Sequence, residues 1–189
     1  MDFQTPPRND SPLLTRRHFV SLCVSVAGLL VVPRVLASVA PQSQRSLSFR
    51  HTHTGERETI LYWRDGEYSE AGLKAADHLL RDFRTEESIT MDPNLLDLLY
   101  ALQLSIGEEG EFQIISGYRS PKTNKMLRQR SGGVAKRSLH MLGKAIDIRF
   151  CACDLKRLRD RAISLKAGGV GYYPDSNFIH VDTGRVRYW

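Results

Sequence analysis

The stretch SLHMLGKAIDIRF, residues 138–150, decides how this sequence is interpreted. A polar loop with one histidine leads into residues 145–150, where apolar and polar side chains alternate as in a half-buried β-strand. Successive side chains of a strand point to opposite faces, so Ile146 and Ile148 share the face that points to the core. Asp147 is therefore expected on the other face, shortly after the histidine.

A second histidine lies in the stretch FIHVD, residues 178–182, which also alternates as a strand. Catalytic zinc ions are usually held by three nitrogen or carboxylate ligands and keep one further position open. His140, Asp147 and His180 supply such a set. Spacing alone leaves open whether they bind a metal, because a histidine and an aspartate near each other are common without one.

The other histidines of the expected globular part are weaker candidates. His51 and His53 alternate on a strand and point to one face, which would suit a metal or an ordinary hydrogen-bonded pair in a hairpin. We favour the hairpin interpretation, because no third ligand lies nearby. His78 lies among charged residues, Asp82 included, on an expected helix and is interpreted as a surface residue.

The composition is that of a globular protein, with 41% hydrophobic and 25% charged residues among 189. It excludes collagen-like, coiled-coil and wholly disordered chains, and three cysteines exclude a disulfide-dense scaffold. The formal charge of +6 suits an anionic polymer or a membrane surface as well as nucleic acid, and we expect no nucleic-acid partner.

An export signal is expected at the start of the chain. Arg16 and Arg17 precede an apolar run over residues 19–32, as in a secretory signal peptide. At about 1.5 Å per residue the run reaches about 21 Å, too short for a hydrocarbon core of about 30 Å. The pattern resembles a twin-arginine (Tat) signal over residues 1–37, which predicts a periplasmic protein, handled by the Tat machinery and without a stable membrane span.

The rest of the chain is expected to be a polar, flexible tether over residues 38–46 and one domain over residues 47–189. The pattern of strands, turns and capped helices predicts an α+β fold, with helices packed around a small antiparallel sheet. We expect a monomer. Cys151 and Cys153 end a predicted strand, and either small apolar residues, a strained disulfide or a zinc-binding pair would explain them.

Three ordered motifs resemble one family. They are SGYRS at 116–120, S-x-H-x-x-G-x-A-x-D at 138–147 and H-x-D at 180–182. Together they resemble the D-Ala-D-Ala-carboxypeptidase-like zinc peptidases, which share a fold with the lysostaphin-type enzymes and the hedgehog amino-terminal domain. The chain after the leader looks like the murein endopeptidase branch of that group. The resemblance implies a hedgehog/D,D-peptidase-like domain with one zinc ion per chain.

Roles for individual residues follow from the resemblance. His140, Asp147 and His180 would be the zinc ligands. Arg119 would hold the substrate and stabilise the developing oxyanion, since a guanidinium keeps its proton. Ser138 would contact the substrate peptide near the metal.

The general base departs from the family pattern. Many members have an acidic residue three positions before the last histidine, or a histidine two positions before it, where this chain has Asn177 and Phe178. Asp182 lies on the same strand face as His180 and is therefore expected to be the base. A role in orienting that histidine is the alternative, and Asp175 is a more remote candidate.

The function implied is that of a periplasmic zinc metallopeptidase that hydrolyses the peptide cross-links of peptidoglycan. Two alternatives remain from the sequence: an enzyme that trims D-Ala ends as a carboxypeptidase or dipeptidase, and a non-catalytic zinc-containing module that binds the cell wall. The bond that is cleaved is left open.

Overall fold

An eight-stranded sheet and four helices make up most of the chain that the computed structural model describes, which comprises residues 1–2 and 43–189. The strands are β1 Gln44–His51, β2 Arg57–Arg64, β3 Glu67–Tyr68, β4 Glu111–Ser116, β5 Ala145–Phe150, β6 Gly169–Tyr173, β7 Phe178–Asp182 and β8 Arg187–Tyr188. The helices are α1 Glu70–Leu79, α2 Pro93–Ile106, α3 Pro121–Arg130 and α4 Leu155–Leu165, and a 3₁₀ turn covers Leu139–Leu142. No helix of the described residues is long and apolar enough to cross a membrane.

The sheet is mixed, which corrects the small antiparallel sheet that the sequence predicted. Its order is β3-β2-β1-β4-β5-β7-β6-β8, and the β1–β4 and β6–β8 pairs are parallel. A parallel pair needs a long crossover between its strands. Between β1 and β4 that crossover contains α1 and α2, so the pairing joins distant segments and leaves no local sequence signal.

The local predictions agree closely with the observed elements. The hairpin expected around His51 and His53 is β1 and β2. Capped helices are present as expected: the side chains of Ser69, Asp92 and Asp154 accept backbone N–H groups at the starts of α1, α2 and α4. The tether was expected up to residue 46, but β1 begins at Gln44. Residues 38–42 of the tether, and the predicted signal peptide apart from residues 1–2, lie outside the described residues.

The hydrophobic core lies against one face of the central strands. Ile146 and Ile148 of β5 and Ile179 and Val181 of β7 are fully buried in the hydrophobic core. Helices α2 and α4 pack against each other and contact β1 and β5 to β7, respectively. The opposite face of β5 and β7 is thereby left for the polar residues of the site.

The loop after β4 is fastened to the end of α1. The backbone N–H of Tyr118 donates to the carbonyl of Leu80 at 2.7 Å. A Cβ on Gly117 would lie 2.5 Å from that same carbonyl oxygen, a distance that real Cβ atoms do not adopt. Gly117 therefore permits the close approach that positions the residues immediately after it.

We predict that Gly117→Ala lowers the free energy of unfolding by about 1–3 kcal/mol, because the added methyl group displaces the loop from α1. Urea unfolding of the purified domain measures the effect. Gly132→Ala is the matched control, since its Cβ would meet nothing within 4 Å. Equal stability of the two variants would contradict the role given to the Gly117 contact.

Candidate metal centre

Three side chains predicted from the sequence meet at one point. Asp147 of β5 and His180 of β7 are directly paired across the two strands, and His140 reaches them from the 3₁₀ turn. Oδ1 of Asp147 lies 2.9 Å from Nδ1 of His180 and 3.2 Å from Nε2 of His140. The two ring nitrogens are 3.1 Å apart. All three residues are buried, and their donor atoms form a candidate metal site.

His140 is oriented by the loop that follows β4. Its Nδ1 donates to the carbonyl of Gly117 at 2.7 Å, and its backbone carbonyl accepts the N–H of Arg119 at 3.2 Å. Ser138 caps the turn, with its hydroxyl accepting the backbone N–H of His140. Gly143 ends the turn at φ 66°, in the left-handed region that glycine favours.

His180 is oriented by Asp182. Nε2 of His180 donates to Oδ2 of Asp182 at 2.9 Å. That carboxylate is fully buried and also accepts from Arg187 at 2.6 and 3.0 Å and from the backbone N–H groups of Gly169 and Gly184. Asp182 thus faces the ring nitrogen that points away from Asp147.

The hydrogen bonds give both rings the form that a metal requires. Each histidine donates one N–H outward, to Gly117 or to Asp182, which leaves the other nitrogen to present a lone pair toward Asp147. Metal-ligating histidines commonly donate their second N–H to a carbonyl or carboxylate in this way. Two nitrogen lone pairs and a carboxylate converging at hydrogen-bond distance need a cation between them, a proton or a metal.

The electrostatics agree with a shared cation. Burial alone would lower the pKa of His180, but its hydrogen bonds to Asp147 and Asp182 outweigh burial and raise the pKa to about 9. Burial lowers the pKa of His140. The pKa of Asp147 stays below its ordinary value despite burial, because both histidines stabilise the carboxylate. In the metal-free protein the proton therefore resides mainly on His180 at neutral pH.

Arg119 lies beside the cluster, and hydrogen bonds of its side chain and of the residue that follows it hold it in place. Its Nη2 donates to Oδ2 of Asp147 at 3.2 Å, and its side chain is 10% exposed. Its buried Nε has no hydrogen-bond partner within the described part of the chain. The next residue, Ser120, donates its backbone N–H to the buried carboxylate of Asp82 at 2.8 Å and caps α3.

Sequence reasoning missed Asp82, which it placed on a charged helix surface. The residue follows the end of α1, is 1% exposed and accepts the backbone N–H groups of Ser120 and Arg84. Arg187, which holds Asp182, was also missed. Neither residue has a local signal, because each meets its partner only through the fold.

The cluster opens into a cleft of about 450 Å³. Arg119, Arg137 and Ser138 line one part of it, and an aromatic group lines another: Tyr173, Phe178 and Trp189. Ser138 thus lies in the cleft beside the metal candidate. Its contact with the substrate peptide stays a prediction. Asp175 is exposed in the loop before β7.

The remaining candidates take no part in the cluster. His51 is buried, its Nδ1 accepts the backbone N–H groups of residues 53 and 54, and burial lowers its pKa to about 4. His53 stacks on Phe83 at 4.2 Å between ring centroids. Cys151 and Cys153 are free thiols, and Cys151 accepts a backbone N–H through its Sγ.

Comparison with known proteins identifies the family. The family model described as "Peptidoglycan L,D-endopeptidase MepK" (Peptidase_M15_2) matches residues 39–189. The chain belongs to this family. The family resemblance drawn from the three motifs is therefore confirmed.

Relatives with that description match nearly the whole chain. The "Probable peptidoglycan L,D-endopeptidase MepK" of Haemophilus influenzae is 46% identical over 176 residues, which cover 92% of this chain and 95% of the relative. The Escherichia coli K12 protein "Peptidoglycan L,D-endopeptidase MepK" is 40% identical over 175 residues, 92% of this chain and 96% of its own. The similarity spans the metal candidate and both walls of the cleft, so the chain is a metallopeptidase of this family.

We predict that binding of Zn²⁺ to the metal-free protein releases about one proton at neutral pH. A metal must displace the proton from His180, whose pKa is about 9. As the pH rises toward that pKa, the apparent affinity for zinc should therefore increase by about tenfold per pH unit. Above the pKa, the affinity should depend little on pH. Calorimetric titration in two buffers of different ionisation enthalpy measures the released proton directly.

The same titration tests which histidine binds the metal. His140→Ala should abolish tight, proton-linked uptake, whereas His78→Ala is the matched control, since the side chain of His78 is 68% exposed on α1. Uptake without proton release in the wild type, or full uptake by His140→Ala, would show that the ion binds elsewhere.

Proposed function

We propose that the chain is a zinc-dependent peptidoglycan endopeptidase that cleaves peptide cross-links, with one zinc ion held by His140, Asp147 and His180. The observation that supports this most directly is the convergence of three ligand atoms at the wall of an open cleft. The family of the chain, whose described members act on peptidoglycan, gives the substrate.

The donor set fits zinc. A tetrahedral ion with ligands at about 2.0–2.1 Å separates its ligand atoms by about 3.3 Å. The three distances among the ring nitrogens and Oδ1 are 2.9, 3.1 and 3.2 Å, so small side-chain shifts would admit the ion. When bound, zinc would act as a Lewis acid that polarises a carbonyl and lowers the pKa of water, so that water loses a proton and becomes a good nucleophile at neutral pH.

Arg119 and Ser138 are assigned the binding of the substrate peptide and the stabilisation of the charge that develops on it. Arg119 extends into the cleft beside Asp147, and its buried unpartnered Nε retains donor capacity. We assign to its guanidinium the binding of the substrate carbonyl and stabilisation of the negative charge that develops there. Ser138 lies at the same edge, and its hydroxyl can donate to a backbone carbonyl of the peptide.

The role of Asp182 is better described as positioning His180 than as general base, the role that the sequence favoured. Its carboxylate faces Nε2 of His180, on the far side of the ring from the cluster, and is fully buried. Its oxygens already accept from Arg187 and two backbone N–H groups. These contacts hold its pKa below the ordinary value in spite of burial, so it is a poor proton acceptor.

Digestion of purified sacculi, followed by separation of the products by mass, tests the function. An endopeptidase converts cross-linked muropeptide dimers into monomers. Release of free D-Ala would instead indicate a carboxypeptidase. Zinc-loaded protein that binds sacculi without any product would indicate the non-catalytic module. His140→Ala should be inactive, and His78→Ala should cleave like the wild type.

We predict that Asp182→Asn weakens zinc affinity by about 10- to 100-fold and spares turnover at saturating zinc, because the histidine loses the carboxylate that orients it. Zinc occupancy and cleavage rate are measured on the same sample. Asp160→Asn, whose side chain is 54% exposed on α4, is the control and should change neither quantity. Unchanged affinity with turnover reduced about 100-fold would return Asp182 to the role of base.

We further propose that the twin-arginine leader directs the protein to the periplasm, where peptidoglycan is accessible. Replacing Arg16 and Arg17 by Lys should leave the precursor in the cytoplasm, because the Tat machinery recognises an exported precursor by its paired arginines. Cell fractionation and immunoblotting measure this. Normal export of the double variant would assign the leader to the general secretory route.

A further inference from the structure

An aromatic wall, formed by Tyr173, Phe178 and Trp189, borders the cleft beside the metal candidate. The rings of Tyr173 and Phe178 stack at 4.7 Å between centroids. Nε1 of Trp189 donates to the hydroxyl of Tyr173 at 2.8 Å. The three rings thus form one continuous surface, and none of the roles given to the metal ligands, Arg119 or Ser138 uses it.

Trp189 is held firmly although it lies at the edge of the sheet. Its backbone N–H donates to the carbonyl of Val170, and its carbonyl accepts the N–H of Tyr172. A Cβ on Gly171 would lie 2.7 Å from the indole ring, so only glycine at that position lets the indole lie on β6. The indole is therefore fixed both along its backbone and beneath its ring.

The fixed indole is placed next to a metal ligand and remains half exposed. Its ring centroid lies 5.4 Å from that of His180, and the guanidinium carbon of Arg187 lies 4.9 Å from the indole. Trp189 is 50% exposed. A large apolar ring that is held rigidly and left partly uncovered can gain apolar burial from a ligand at little entropic cost.

The chemistry of the wall indicates what covers it. Aromatic faces pack well against methylene groups, and the wall offers few polar atoms because the Trp189 N–H and the Tyr173 hydroxyl already bond to each other. We propose that Trp189 contacts the substrate, packing its indole against the aliphatic side chain of the peptide residue next to the scissile bond. This inference rests on the proposed peptidase function and adds the residue that positions the side chain.

The proposal predicts a change in substrate binding more than in the chemical step. Losing the apolar contact in Trp189→Ala should raise KM about 5- to 30-fold with a much smaller change in kcat, because the contact exists before the bond breaks. Trp189→Phe keeps part of the ring and should raise KM by less. Zinc content should stay at one ion per chain in both variants.

Gly171→Ala provides an independent variant that leaves the indole in the protein but displaces it from β6. It should raise KM in the same direction as Trp189→Ala. Tyr188→Ala is the matched control on β8, since its hydroxyl bonds to the carbonyl of Ile163 and the residue does not line the cleft. It should leave KM unchanged.

Fluorescence gives a readout that needs no turnover. The chain has two tryptophans, and Trp63 lies on β2, beneath the guanidinium of Arg45. In a Trp63→Phe background, purified muropeptide dimers added to the metal-free protein should change the Trp189 emission in a saturable manner. In a Trp189→Phe background, the remaining Trp63 emission should not respond.

The outcomes separate this inference from the proposed function. If the wild type cleaves dimers but Trp189→Ala and Gly171→Ala keep the wild-type KM, or Trp189 emission does not respond, Trp189 does not contact the substrate. If the wild type cleaves nothing while Trp189 emission still saturates with dimers, the wall binds the peptide and the proposed catalytic function fails. A KM increase in both variants together with the emission change supports the inference.

Discussion

Direct pairing of Asp147 with His180 across β5 and β7 is the constraint on which the site depends. Both side chains point to the cleft because their neighbours along each strand are apolar and buried on the other face. A slip of one residue in either strand would turn a candidate ligand into the core and expose an isoleucine or valine. Core packing therefore enforces the register, and the register places Oδ1 of Asp147 and Nδ1 of His180 2.9 Å apart.

The third candidate ligand, His140, and Arg119, to which we assign substrate binding, are both positioned by a single loop. Gly117 accepts the hydrogen bond that orients His140, and its lack of a side chain lets the loop rest on the end of α1. Two residues later Arg119 reaches Asp147, and Ser120 is anchored by Asp82. Since one segment positions both the candidate ligand His140 and the guanidinium of Arg119, small shifts of the loop would disturb both together.

The sequence was sufficient to predict the three ligand candidates and the strands that carry Asp147 and His180, because strand alternation is a local property. The mixed character of the sheet was predicted wrongly, since the parallel β1–β4 pair joins segments about sixty residues apart. Asp82 was placed on a surface because the helical pattern identifies charged faces. The pattern cannot reveal that the loop containing Ser120 folds over this carboxylate and buries it. The aromatic wall was missed for a similar reason: Trp189 meets Tyr173 only when β8 pairs with β6.

Asn177 and Phe178, which stand where the resemblance drawn from the sequence implied a general base, have structural roles. Asn177 adopts φ 52°, a left-handed conformation that asparagine tolerates, and its carbonyl accepts from Arg149, so the residue serves the turn before β7. Phe178 stacks on Tyr173 and lines the cleft. The two positions at which the resemblance led us to expect a proton-accepting side chain thus shape the turn and the apolar wall. Buried polar groups orient the candidate ligands through hydrogen bonds on the side away from the cleft, and aromatic groups line the cleft itself.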